Sequence, residues 1–271
     1  MLYRRVGNAS QGAKGTKQVS RIRRITFYTF AGVLTVLAAA EMVNHIIMDT
    51  YSPHLIHSAG HLVVSALVFV SIAMQLWSPR RRIAGVQTLL VLSLAVGVAL
   101  VLSAYFTEFV IAYLVIGLLL GALHPARGDL LKLGANASWM MAVIALAGGV
   151  GFVAYALGQA AVQRAVGFDP IHGAHWSLAA AVTLIIPAVA LLAAARTQGW
   201  RIPAYGAAGG AILLGITSLL FAHEASAFST IGVLGALVWA ATLIAVAEWR
   251  GGAKISRPLS APGVAESRPE A

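Results

Sequence analysis

The stretch "SPHLIHSAGHLVVSALVFVSIAMQLWSPRRR", residues 52–82, holds the signals that decide the fold. Its middle, 56–77, is an apolar run without a single Lys, Arg, Asp or Glu. Its end is the triplet Arg80-Arg81-Arg82, and its start carries His54, His57 and His61. Crossing a hydrocarbon core takes roughly 17–25 apolar helical residues, so 56–77 is long enough to span one. Backbone groups inside lipid must bond within their own segment. The run lacks the period-two alternation of a barrel strand, which leaves a helix.

Seven other stretches read the same way: 25–47, 83–105, 108–124, 135–158, 176–195, 203–222 and 228–248. The chain of 271 residues is 59% hydrophobic and 10% charged, where a soluble domain carries about 25% charge. Its mean hydropathy is +0.82. The expectation is an all-α, polytopic integral membrane protein with about eight transmembrane helices. Residues 1–24 form a basic segment expected to lack regular structure. Two four-helix halves follow, 25–130 and 131–250, and then a tail, 251–271, whose Pro, Ser and charge content predicts disorder. The first 24 residues are too polar for a signal-peptide core and no small-residue cleavage site follows 25–47, so that run is kept as a span.

Charge orients the spans. Of the 19 Lys and Arg residues, only Arg164 falls on the face opposite Arg80-Arg81-Arg82 once the eight spans are threaded in alternation. Such a bias places the basic face and both termini in the cytoplasm of a cell-membrane protein. The net charge of +10 then reads as topology and as attraction to anionic lipid headgroups. Nucleic acid is not an expected partner, because no basic folded domain exists to carry it. The chain has no cysteine, which excludes disulfides, iron–sulfur clusters and thiolate metal sites. No lysine lies inside a span, so a retinal Schiff base has no anchor. His-Glu-x-x-His and Gly-x-Ser-x-Gly signatures are also missing.

The same threading sends seven of the eight histidines to the extracytoplasmic ends of spans or to outer loops, and His124 to the cytoplasmic face. His57 and His61 are one helical turn apart at the mouth of the second span, so they share a face. Glu41 and His45 have the same spacing near the outer end of the first span. His172 and His175 are three apart in "DPIHGAHW", and His223 and Glu224 are adjacent after the seventh span. Ionisable groups at a membrane are costly and point to function. The expected site is a metal or haem centre with His57, His61, His172 and His175 as first ligands. His45, Glu41, Glu108, His223 and Glu224 are further ligands or supports. Imidazole with carboxylate suits Zn, Fe or Cu, and an opposed imidazole pair suits a haem iron. Proton or substrate passage by a permease using the same residues is the alternative, and a structural accessory subunit is a third reading.

An internal repeat would bring the pairs together. "HSAGHLVVSALVF" from His57 matches "HGAHWSLAAAVTL" from His172 at an offset of 115, and Glu108 to Glu224 is 116. Two halves of four spans would be related by an axis along the membrane normal, setting the second span against the sixth. At the level of architecture this resembles haem A synthase and the copper-resistance membrane proteins; the resemblance to haem A synthase would imply histidines on both even spans of each half. Span eight has none, and His124 lies at the other face. The resemblance covers topology and carries no residue roles.

Elsewhere the readings are structural. "ALHPARGDLLKLG", 122–134, is expected to end the fourth span at Pro125, with His124 favoured as imidazolium by the helix C-terminus. Glycines such as Gly148 and Gly149 allow close helix packing. Five tryptophans sit near span ends as an interfacial belt, and Trp239 lies within span eight.

Overall fold

The computed structural model describes residues 6–48, 55–105, 108–167 and 175–252. Regular structure in them is helical throughout: α1 (Val6–Met48), α2 (Leu55–Trp77), α3 (Ile83–Ser103), α4 (Glu108–Leu123), α5 (Trp139–Val166), α6 (His175–Ala194), α7 (Arg201–Leu220) and α8 (Thr230–Gly252). Among the described residues, seven helices are long and apolar enough to cross a membrane. The chain is therefore an all-helical, multi-pass membrane protein. The fourth expected span is shorter than the rest. α4 has 16 residues, a rise of about 24 Å against a core of about 30 Å. It stops at Leu123 because His124 precedes Pro125, and a residue before proline is pushed out of the helical region.

Two other boundaries differ from the sequence reading. α1 begins at Val6, so the basic segment expected without structure is helical from there on, extending an existing helix at low nucleation cost. α5 starts at Trp139, where the Ser138 side chain accepts from the Met141 N–H, and runs to Val166, eight residues beyond the expected end at 158. Gln159 and Gln163, polar residues just past 158, both face the protein interior.

Hydrogen bonds gather the helix ends at two opposite faces. On the basic face the 3-10 turn Pro79–Arg81 and the loop 124–138 meet the α6–α7 link. Ala84 N–H donates to Gln198 at 3.0 Å, and Gly134 and Ser138 donate to Ala195 and Ala194 at 2.9 and 2.7 Å. Gly134 has no alternative, since a Cβ there would stand 2.1 Å from the Arg196 carbonyl oxygen. Gln87 ties the same face by donating to Leu130 O while accepting from the Thr197 hydroxyl at 2.7 Å. On the other face Arg164 donates to the Leu102 carbonyl, and the α7–α8 loop reaches α2, α5 and α6.

α6 is the centre of the bundle, packing on α5, α3, α7 and α2. Of its apolar span, 67% is buried inside the protein, against 17% for α1 at the periphery. Its buried face is rich in alanine (Ala180, Ala181, Ala190, Ala193). Lipid is as apolar as leucine, so close van der Waals approach between small residues must hold such helices together. The same logic explains Trp239. Its indole lies directly on Gly148 of α5, where a Cβ would sit 2.1 Å from the ring, and its N–H donates to Ile144 O at 2.7 Å.

The helix pairings repeat with a shift of four. α1 packs on α2 and α4, α2 on α3 and α7, and α3 on α4; correspondingly α5 packs on α6 and α8, α6 on α7 and α3, and α7 on α8. α2 also meets α6, and α3 meets α7. The contact of α3 with α5 has no counterpart of comparable extent between α7 and α1.

Candidate functional site

Both helices that open with histidines have their N-termini held by side chains from elsewhere. The carboxylate of Glu224, in the α7–α8 loop, accepts from the Leu55 and Ile56 N–H groups at 3.0 and 3.2 Å. Those N–H groups have no partner inside their own helix, and the partial positive charge there favours a carboxylate. At the start of α6, Gln163 Oε1 accepts from Trp176 and Ser177 N–H, both at 3.1 Å. Its amide nitrogen donates to Gly167 O at 2.6 Å. These caps set the direction in which α2 and α6 present their first turns.

Four imidazoles from three helices then form one row. The His45 and His61 rings are stacked with centroids 4.4 Å apart. His61 meets His57 edge-on at 4.6 Å, with their Nε2 atoms 3.1 Å apart. His57 is stacked on His175 at 4.7 Å. At the α1 end, His45 Nε2 donates to Glu41 Oε1 at 3.0 Å, and the carboxylate is half-exposed. At the α6 end, His175 Nε2 shares a hydrogen bond with the Ser226 hydroxyl at 3.2 Å. The Tyr155 hydroxyl donates to the Ser226 carbonyl. His175 is buried, while His57 and His61 are partly open.

Behind the His57–His175 stack lies a cavity of about 20 Å³, lined also by Tyr155, Thr183, Ser218 and Ser226. One water needs roughly 10–15 Å³. The Ser218 hydroxyl is buried there with no hydrogen-bond partner. A neutral imidazole has one donor and one acceptor nitrogen. At 3.1 Å the His57 and His61 Nε2 atoms either share one proton-bearing hydrogen bond or both present lone pairs to a common point.

Of the residues expected at the site, His57, His61, His175, His45 and Glu41 are brought together. Glu224 is close by and serves as the cap of α2, and His223 beside it is exposed. His172 lies outside the described residues; Glu108 is the first residue of α4, and its side chain lies outside them too. Among the described residues, no set of three or more His, Asp or Glu side chains converges as a ready metal cage. Tyr155, Gln163, Ser218 and Ser226 are additions. A signal for two of them exists in the sequence, since Tyr155, Gln159 and Gln163 recur every fourth residue and so share one face of α5.

His124 is separate, on the basic face. Its Nδ1 accepts from the Ala126 N–H at 3.1 Å and its Nε2 donates to Gln75 Oε1 at 3.3 Å. Phe27 packs edge-on against its ring. Because Nδ1 accepts a backbone N–H it carries no proton, so the ring is neutral rather than the expected imidazolium. Comparison of the chain with protein families, curated proteins and solved structures finds no match.

Proposed function

We propose that this protein binds a first-row transition-metal ion through His57 and His61, where its two four-helix halves meet. The observation that carries the reading is the 3.1 Å separation of their Nε2 atoms. With metal–nitrogen bonds of about 2.0–2.1 Å, an ion bound equally by both would subtend about 100°, close to tetrahedral. Imidazole donors suit Zn, Cu or Fe. His45 and His175 pack against these two rings and are held by Glu41 and Ser226, as supporting groups around ligands are. Two imidazoles leave coordination positions open, which favours an ion that reacts or is handed on over a closed structural one. Rings in direct contact leave no slot for a macrocycle between them, so a single ion fits better than haem.

The repeated helix pairing supports a twofold relation between the halves. α2–α6 and α3–α7 are the pairs such an axis maps onto themselves, and His57 stacks on His175 at the first of them. Among the described residues α4 is the one α-helix between the histidine-face end of α3 and the basic-face start of α5, so it serves as the eighth crossing. The arginine bias supports cytoplasmic termini and an extracytoplasmic histidine face in a cell membrane.

Elemental analysis with an optical spectrum of purified protein tests this. We expect about one ion per chain, lost in His57→Ala and in His61→Ala, with affinity lowered about 10–100-fold when the neighbouring His45 or His175 is replaced by Phe. Metal content unchanged in both ligand variants would falsify the assignment.

A further inference from the structure

The bundle has a second feature, whose mouth lies at the basic face. Between α2 and α7 runs an apolar groove of about 710 Å³, walled by residues that include Leu62, Val70, Met74, Gly209 and Leu213, with Arg82, Arg201 and Tyr205 at one end. From Leu62 to Met74 the groove follows about 18 Å of helix. One leaflet of a bilayer's hydrocarbon core is about 15 Å deep. The groove therefore opens at the basic face, passes mid-membrane and ends at Leu62, directly after His61.

Its shape comes from glycines. A Cβ on Gly206 would stand 2.4 Å from Leu67, and one on Gly210 would stand 3.1 Å from Val63, so α7 closes on α2 there to make a floor. Gly209 meets nothing within 4 Å and leaves the wall open. The mouth is cationic. Arg201 Nε is 3.3 Å from Glu248 Oε1, which also accepts from the Tyr205 hydroxyl. Arg82 forms no ion pair among the described residues, and it follows Arg80 and Arg81 directly. A guanidinium fork matches phosphate oxygens, and basic pockets between membrane helices select anionic headgroups.

We propose that the α2–α7 groove is a binding site for one anionic glycerophospholipid. An acyl chain lies against Gly209, and the phosphate meets Arg82. This is independent of the metal reading.

Native mass spectrometry of delipidated full-length protein tests it, with phosphatidylglycerol and phosphatidylcholine of identical acyl chains as probes. Wild type should bind phosphatidylglycerol about fivefold or more tighter. Arg82→Gln should abolish that preference, and Gly209→Leu should weaken both lipids by filling the wall. Excess inorganic phosphate should leave the bound lipid in place, because the acyl chain provides most of the contact. Equal binding of the two lipids by wild type would overturn the proposal without reference to any variant. A preference that survives in an Arg82→Gln protein of unchanged thermal stability would overturn it as well.

Discussion

Glu224 illustrates how one residue admits two chemistries that spacing cannot separate. Adjacent to His223 and matched with Glu108 by offset, it reads as a ligand or its support. In the fold both of its carboxylate oxygens accept N–H bonds from the start of α2. Removing them in Glu224→Ala should cost about 1–2 kcal/mol, the upper range for a lost helix cap. Glu224→Gln should cost less, since an amide oxygen still accepts but the charge–dipole attraction is gone. Thermal unfolding in detergent, followed by circular dichroism, checks this; an unchanged midpoint in Glu224→Ala would refute the capping role. His124 gives the complementary case. A lone histidine at a helix end suggests a charged cap, but its Nδ1 accepts a backbone N–H and its ring is fully buried, which requires the neutral form.

At the scale of elements, the contact of α5 with α8 depends on a missing side chain. Gly148 admits the Trp239 indole, whereas Gly151, three residues on, faces open space. Gly148→Ala forces the ring out of place and should destabilise the protein by about 1–3 kcal/mol, the usual cost of overpacking. Gly151→Ala adds a methyl where none collides and should be neutral or slightly stabilising, because alanine is the better helix former. Comparing the two unfolding midpoints separates packing from propensity; equal shifts would contradict the packing account. Trp239 breaks the interfacial pattern of the other tryptophans for this reason. Its indole N–H needs an acceptor, and the Ile144 carbonyl supplies one inside the bundle.

For the whole molecule, the two faces give a direct test of orientation. The chain has no cysteine, so single cysteines report without background. In intact cells, Ala222→Cys in the α7–α8 loop should react with a membrane-impermeant maleimide, and Gly128→Cys on the basic face should react only after lysis. The reverse pattern would invert the proposed topology and put the histidine row in the cytoplasm.

Membrane class, the position of nearly every helix and the His57–His61 face were legible in the sequence, because each depends on local quantities. Apolar run length decides whether a segment can enter lipid, and helical periodicity decides which neighbours in the chain share a side. Helix ends were less legible where polar side chains turn inward, as Gln159 and Gln163 do to carry α5 beyond 158. The meeting of His57 with His175, the row that joins them to His45, and the capping of α2 by Glu224 were decided by tertiary structure alone. They join residues more than a hundred positions apart, or in different helices, through the approach of α2 to α6 and the fold-back of the α7–α8 loop. Close contact between alanine and glycine surfaces sets those approaches, and a hydropathy pattern records which residues are apolar, not which helices touch.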